Sequence, residues 1–110
     1  MAAKYHLKKA SDGQFLFNLH ASNGEIVLTS ERYTAKPSAI AGIESVRQNA
    51  QREGAFELKE ATNGKHYFVL KASNGQVVGQ SQMYGSRATA ENGIASVKRY
   101  APDAGISDDS

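Results

Sequence analysis

Apolar and polar side chains alternate through the first stretch of the chain. Tyr5 and Leu7 are apolar, whereas the adjacent His6 and Lys8 are polar. Alternation with a period of two predicts a β-strand with one buried face. The same pattern predicts strands in three further stretches, residues 15–19, 56–58 and 66–70.

Short turn sequences separate these strands. Asp12-Gly13 and Asn63-Gly64 each lie between two alternating stretches and are typical of tight hairpins, where a type I′ turn requires positive φ at both central residues. The tetrapeptide Ala-Ser-Asn-Gly occurs twice and predicts a second tight turn in each half. It lies at residues 21–24 and 72–75, and a third strand follows each copy at residues 26–28 and 77–78.

A helical pattern follows the third strand in each half. Apolar residues recur at spacings of three and four, which predicts an amphipathic helix. The two stripes are Ala39, Ile43, Val46, Ala50 and Ala90, Ile94, Val97, Ala101. Proline is tolerated only in a first helical turn, so the first helix begins near Pro37, and Pro102 ends the second. Gly42 and Gly93 lie in mid-helix and predict a close approach of the helix backbone to another element.

The chain is a tandem duplication. A shift of 51 residues aligns Lys4–Arg52 with Ala55–Asp103 without a gap, and 19 of the 49 pairs are identical. Such a repeat means that one structural unit is used twice. A unit of 51 residues is close to the size at which burial barely offsets chain entropy, so we expect the two units to share one core.

These patterns predict an α+β fold in a single domain over residues 1–110. Two tandem β-β-β-α repeats, residues 4–54 and 55–105, are expected to form one mainly antiparallel sheet of about six strands with both helices on one face. Gly105-Ile106 is a candidate for a very short last strand. Residues 106–110 are otherwise expected to be a disordered acidic tail.

The paired motifs resemble those of the YegP-like family of small bacterial proteins. The residues that carry the resemblance are Ala21-Ser22-Asn23-Gly24-Glu25-Ile26-Val27 with Gly42-Ile43-Glu44-Ser45-Val46, and Lys71-Ala72-Ser73-Asn74-Gly75-Gln76-Val77-Val78 with Gly93-Ile94-Ala95-Ser96-Val97. His20 stands where the second copy has Lys71. The resemblance implies one continuous sheet in which the strand after each helix is exchanged onto the other unit. After the first helix this strand would lie at or near Ala55–Glu60. The resemblance brings no assigned activity, so it implies no catalytic or ligand residues.

Composition and charge narrow the classes of function. The chain has no cysteine, a net charge of +2 and no apolar run of the roughly 20 residues that a membrane span needs. Its N-terminus has no apolar signal-peptide core. We therefore expect a cytoplasmic protein that does not bind membranes, and a monomer, because the duplication already supplies a pseudo-dimer.

No set of residues indicates catalysis or metal binding. His6, His20 and His66 are not repeated under the 51-residue shift, and no metal-ligand spacing, nucleophile elbow or phosphate loop occurs. We expect no catalytic residue, cofactor or metal. Ser45 and Ser96 recur after each Gly-Ile pair, either as small residues packed near the sheet or as hydroxyls that face a ligand.

Basic and tyrosine side chains near the helices form a candidate binding surface. Its members are Arg32, Tyr33, Lys36, Arg47, Tyr84, Arg87, Lys98 and Arg99. Cations at a helix C-terminus complement the helix dipole, which is a sufficient structural reason for those in the last turns. A stripe of them would alternatively bind phosphates. The tyrosines either cover an end of the core or present a ring to a ligand.

Three functions remain open. A non-enzymatic binding or interaction module, with a protein among its candidate partners, is the first. Weak nucleic-acid binding through the helix cations is the alternative. An enzyme with an unfamiliar site between the units, using Tyr33, Tyr84 or His66, is the third, and a cleft at the pseudo-twofold that holds those groups would favour it.

Overall fold

The computed structural model describes residues 3–52 and 54–110. The strands are β1 (Lys4–Lys9), β2 (Phe15–His20), β3 (Ile26–Ser30), β4 (Phe56–Glu60), β5 (His66–Lys71), β6 (Val77–Gln80) and β7 (Gly105–Asp108). The helices are α1 (Lys36–Asn49) and α2 (Arg87–Tyr100). Within the described residues, neither helix is long and apolar enough to cross a membrane.

Each repeat forms a three-stranded meander followed by a helix, as the alternation and the helical stripes predict. The seven strands form one sheet in the order β4-β5-β6-β3-β2-β1-β7. All neighbours are antiparallel except β1 and β7, which are parallel. The strand after α1 is β4, which belongs to the second meander, and the strand after α2 is β7, which pairs with the first. The expected exchange of the strand after each helix is therefore present.

A pseudo-twofold axis relates the two meanders. β3 pairs with β6 at the centre of the sheet, where Thr29 lies opposite Gln80. These two residues are 51 positions apart, so each is paired with its own counterpart in the other repeat. Pairing between equivalent residues of antiparallel strands is what a twofold axis through the pair requires.

Leu28 and Gly79 break this symmetry beside the axis. They too occupy equivalent positions, and a Cβ on Gly79 would lie 2.8 Å from a methyl carbon of Leu28. Two leucines would therefore overlap. Duplication allows one large and one small residue here, which two identical copies of a single unit would not allow.

Both repeats contribute to one hydrophobic core. Tyr5, Phe17 and Ile43 from the first repeat belong to the same buried cluster as Phe68 and Val97 from the second. These five side chains are fully buried, and partly buried apolar side chains pack around them. The cluster fills the space between the helices and one face of the sheet. The expectation that two small units share a core is met.

The hairpin turns differ from the predicted type I′ geometry. Positive φ occurs only at glycine in the described part of the chain, so Asp12 does not adopt the conformation that a type I′ turn demands. Gly13 has φ +85°, and Gly13 N–H donates to the carbonyl of Ala10 at 3.0 Å while Ala10 N–H donates to Gln14 at 2.7 Å. This is a three-residue loop with one left-handed glycine. The location of the hairpin was right and its turn type was wrong.

The C-terminal segment is more ordered than the predicted tail. Residues 105–108 form β7, and Asp109 N–H donates to the carbonyl of Leu7 at 2.8 Å. The prediction of disorder is therefore wrong for residues 106–108, and the short last strand near Ile106 is real. An unpaired edge strand such as β1 has free main-chain N–H and C=O groups, which another strand can pair with. This explains why a segment as short as β7 forms a strand.

Candidate functional site

A tyrosine before each helix is fixed by its main chain. Tyr33 exchanges two backbone hydrogen bonds with Phe15, and Tyr84 does the same with His66, at distances of 2.7–2.8 Å. Each ring stacks on the central phenylalanine of its repeat, Tyr33 on Phe17 at 6.5 Å and Tyr84 on Phe68 at 6.3 Å between centroids. This geometry supports the predicted role of the two rings, which is to cover an end of the core.

Glycine in each helix makes room for the tyrosine hydroxyl. A Cβ on Gly42 would overlap the hydroxyl of Tyr33, and one on Gly93 would overlap that of Tyr84. The close approach predicted from these two glycines is therefore between a helix and a tyrosine. Partial burial raises the pKa of both tyrosines, with nearby Glu31 adding to the effect at Tyr33 and Glu25 at Tyr84. Both hydroxyls stay protonated near neutral pH and are able to donate a hydrogen bond.

Tyr84 and Gly93 line a cleft between the two repeats. The cleft has a volume of about 360 Å³ and lies between the start of β3 and α2. Its polar lining consists of Glu25, Gln82, Tyr84, Thr89, Asn92 and Ser96. A hydrogen bond of 3.0 Å from the Gln82 amide to the Glu25 carboxylate crosses from one repeat to the other.

The chemistry of this lining suits binding. Hydroxyl and amide groups supply both donors and acceptors, and Glu25 is the one ionisable side chain besides Tyr84 among the lining residues. General acid–base catalysis needs a base within reach of the proton that it removes, and nucleophilic catalysis by a hydroxyl or thiol needs such a base beside that group. Ser96 shares the cleft with no histidine or lysine, and the Glu25 carboxylate, the one base among the lining residues, accepts a hydrogen bond from Gln82.

The positions equivalent to the cleft residues in the other repeat have different side chains. Ala41 of the first repeat is equivalent to Asn92, Glu31 of the first repeat to Gln82, and Gln76 of the second repeat to Glu25. Positions with the same residue in both repeats therefore include Tyr84 and Ser96. They do not include the four residues that make the cleft distinct, Glu25, Gln82, Thr89 and Asn92. Sequence position does not group them, because Glu25 and Asn92 come together only through the contact between repeats.

The predicted cations are dispersed, and most already have partners. Arg32 lies 3.4 Å from Asp12 and Arg87 lies 3.9 Å from Glu91, while Lys36 pairs with Asp108 and Arg47 with Glu44. Arg47 also donates to the carbonyl of Ala104 at 2.7 Å and lies over the ring of Tyr5. Lys98 and Arg99 lie over the rings of Phe56 and Tyr100. Of the eight residues of the predicted surface, only Tyr84 lines the cleft.

The histidines do not converge on it either. His6 lies 2.7 Å from a carboxylate oxygen of Asp109, and a ring nitrogen of His20 lies 3.1 Å from the carbonyl of Gly24. Their rings are 5.8 Å apart on the sheet face opposite the helices. His66 is held by its main chain to Tyr84 and is not among the cleft residues. Within residues 3–52 and 54–110, no group of three or more metal-ligating side chains is present.

The model of a domain of unknown function, DUF1508, matches the chain twice, at residues 10–57 and 61–108. The chain belongs to the DUF1508 family. The two matches have the same 51-residue offset as the internal repeat. Each DUF1508 match begins after the first strand of a meander and ends in the strand that follows the helix, so β4 and β7 are equivalent ends of the two family units.

Relatives of the same family cover nearly the whole chain. A UPF0339 protein of Pseudomonas aeruginosa is 72% identical over 110 residues, which is 100% of both chains. The UPF0339 protein YegP of Escherichia coli strain K12 is 56% identical over 98 residues, 89% of each chain. The resemblance to the YegP-like family is confirmed.

Two solved structures share the fold. The solution NMR structure of yegP from E. coli, described as a protein of unknown function, has a TM-score of 0.93 and 51% identity, and it covers 99% of this chain and 94% of that one. The solution NMR structure of a UPF0339 protein from Shewanella oneidensis has a TM-score of 0.91 and 48% identity, with 98% and 92% covered. These relatives bring no assigned activity, so the function has to be argued from the site itself.

Proposed function

We propose that this chain is a non-enzymatic binding module whose ligand site is the cleft between β3 and α2. The observation that carries the proposal is the lining of that cleft, in which hydroxyl and amide groups of the second repeat meet the Glu25 carboxylate of the first, with no histidine or lysine beside Ser96. A site of this kind can orient a ligand through hydrogen bonds.

The lining also indicates the kind of ligand. Its groups are mostly neutral donors and acceptors, and the single carboxylate of Glu25 favours a positive charge over a negative one. We therefore propose a small polar molecule with hydroxyl or amide groups and at most one positive charge. Tyr84, which is protonated at neutral pH, would donate to an acceptor of the ligand.

The experiment is a titration of the ¹⁵N-labelled protein with a panel of small polyols, amides and amines. A ligand that belongs in the cleft shifts the amides of α2 near Asn92 together with those at the start of β3. Asn92→Ala, which installs the residue found at the equivalent Ala41, is expected to weaken binding about tenfold, since a lost hydrogen bond costs about 1 kcal/mol or more. Glu91→Ala, a neighbour outside the cleft, is the matched control. Shifts confined to another surface would refute the proposed site.

Turnover separates binding from catalysis in the same experiment. An enzyme would convert a bound compound, and Ser96→Ala or Tyr84→Phe would abolish the conversion while the fold is kept. Conversion with that pattern would overturn the non-enzymatic proposal.

Location in the cytoplasm stays a prediction, to be tested by fractionating cells that produce the full-length protein.

Nucleic-acid binding is the weaker alternative because its cations are neutralised by carboxylates. Arg32, Lys36, Arg47 and Arg87 each have an acidic partner. A mobility-shift titration at low salt is expected to show no binding. Binding that the double variant Arg47→Ala, Lys98→Ala abolishes would establish this alternative instead.

A further inference from the structure

The first strands of the two repeats, β1 and β4, differ on their outer sides. β1 would be an edge strand, but β7 covers it. β4 has β5 as its one strand neighbour in the described part of the chain and forms the outer edge of the second repeat. An uncovered edge strand presents main-chain donors and acceptors to another strand.

The register with β5 shows which main-chain groups of β4 face outward. Lys71 N–H donates to the carbonyl of Ala55 and Ala61 N–H donates to that of Lys65, so the odd-numbered residues of this strand bond to β5. In an antiparallel pair the bonded residues alternate, so Phe56, Leu58 and Glu60 direct their N–H and C=O groups away from the sheet. The equivalent group in the first repeat, the carbonyl of Leu7, accepts from Asp109.

The sequence of β4, Phe-Glu-Leu-Lys-Glu, is complementary to itself when reversed. Two copies placed antiparallel with Leu58 opposite Leu58 use all three outward-facing residues in main-chain bonds. On the sheet face away from the helices, Glu57 of each copy then lies opposite Lys59 of the other. Directly opposed charges of opposite sign stabilise a strand pair, and both such pairs form at once because the arrangement is twofold.

The helix-facing side of β4 adds a second complementary pair. Phe56 lies opposite Glu60 of the other copy in this register, and the ammonium of Lys98 lies 5.8 Å from the centre of the Phe56 ring. Glu60 of one copy would therefore approach Lys98 of the other. Neither Glu60 nor Lys98 forms an ion pair within residues 3–52 and 54–110.

The first repeat lacks this complementarity. The positions of β1 equivalent to Glu57, Lys59 and Glu60 are His6, Lys8 and Lys9, which carry no acidic side chain. A reversed copy of β1 would set basic residues against basic residues. The complementary charges occur in the repeat whose first strand is uncovered.

We propose that a second copy of this chain pairs with β4 through β4, antiparallel about Leu58, to form a continuous sheet of fourteen strands. The contact is one strand of five residues on each side. It falls short of the roughly 1,000 Å² expected of a stable interface, so the dimer is weak and forms at high concentration. The monomer expected from the duplication is the dominant state in dilute solution.

The experiment combines sedimentation equilibrium with ¹⁵N spectra over a concentration series up to about 1 mM, where weak interfaces become populated. The expected result is a monomer–dimer equilibrium. The amides of residues 56, 58 and 60 should shift with concentration and be protected from exchange in the dimer, while those of residues 57 and 59 keep the protection they already have from β5.

Charge variants test the register. Glu60→Lys and Lys98→Glu alone should each weaken association about tenfold or more, because two like-charge contacts replace two attractive ones. An equimolar mixture of the two variants should associate like the wild type, since the mixed dimer restores both pairs. Lys9→Glu, at the position equivalent to Glu60 on the covered edge, is the matched control and should leave association unchanged.

Three results would overturn the proposal. They are a wild type that remains monomeric up to about 1 mM, association in which the mixture of variants fails to recover, and concentration-dependent shifts located on another surface. Shifts at β4 caused by an added extended peptide, with no self-association, would replace the second copy by a peptide partner.

Discussion

Tyr5 and Phe56 occupy equivalent positions in the first strands of the two repeats. Both rings pack edge-on against the central phenylalanine of their repeat, at 5.8 Å and 5.7 Å between centroids. Tyr5 also has a hydroxyl, which donates to the carbonyl of Ala101 at 2.7 Å, whereas Phe56 has none. Beside Tyr5 the strand is covered by β7, and beside Phe56 the sheet ends.

Other differences between the repeats fall at the same place. Arg47 reaches the carbonyl of Ala104 just before β7, and its equivalent is Lys98, which lies over Phe56. His6 pairs with Asp109 just after β7, and its equivalent is Glu57, which pairs with Lys71 at 2.6 Å. The residues identical in both repeats, by contrast, are concentrated in the core and the turns. Duplication has therefore preserved the packing, while the edges have diverged.

Deletion of residues 105–110 is expected to have the largest effect, because it uncovers β1. The loss of the main-chain bonds between β1 and β7, each worth about 1 kcal/mol, should lower the free energy of unfolding by about 3–4 kcal/mol. Urea denaturation measures it. Deletion of Asp109 and Ser110 alone keeps the strand and should cost much less. If both deletions cost the same small amount, β7 does not stabilise the first repeat.

Gly79→Leu comes next, because it makes the two repeats alike at the pseudo-twofold axis. The added side chain would overlap Leu28 and should cost about 2–3 kcal/mol by overpacking. Leu28→Gly together with Gly79→Leu exchanges the large and small residues. This double variant should recover part of the loss relative to Gly79→Leu, and a double variant no more stable than the single one would contradict the proposed contact.

Tyr5→Phe and Phe56→Tyr test the difference between the first strands. Tyr5→Phe leaves the buried carbonyl of Ala101 without its donor and should cost about 1–2 kcal/mol. Phe56→Tyr adds a hydroxyl at the uncovered edge and should change stability by less than about 1 kcal/mol. Thermal unfolding of both variants gives the comparison. Equal losses at the two positions would contradict a stabilising hydrogen bond from Tyr5 to Ala101.

A pH-dependent effect of Lys36 is the smallest expected. Hydrogen bonds from Lys36 and then from Ser110 lower the pKa of Asp108 from 3.8 to about 2. A carboxyl with a lowered pKa in the folded state stabilises the fold above its unfolded pKa and loses that contribution as pH falls through the folded value. Lys36→Gln should therefore be less stable than the wild type near about pH 5, and the difference should disappear towards about pH 2. A difference that is constant across this range would contradict the pairing.

Much of this fold can be predicted from the sequence, because the repeat tests each pattern twice. The strands follow from the alternation around Leu7 and Leu58. The helices follow from the apolar stripes through Ile43 and Ile94. The turn type could not be predicted, because Asp-Gly fits both a type I′ turn and a three-residue loop with one left-handed glycine. The sequence predicts only the first two residues of β7. This strand has one apolar residue, so its own pattern is weak and it is held by its pairing with β1.

The candidate site was less predictable than the fold. Tyr84 was found because Tyr33 repeats it, and Gly93 because Gly42 does. The residues that distinguish the cleft, Asn92 among them, occur in one repeat only and come together through the contact between repeats. The cations near the helices suggested a surface, but local spacing does not show that Lys36 lies beside Asp108, far along the chain.

Native-state hydrogen exchange tests the central claim that two repeats close over one core. The slowest amides of β2, at the centre of the first repeat, and of β5, at the centre of the second, report the free energy of opening of each repeat. If the core is shared, both sets exchange with the same free energy, equal to that of global unfolding. If one repeat opens at a clearly lower free energy while the other stays protected, the repeats fold independently and the account is wrong.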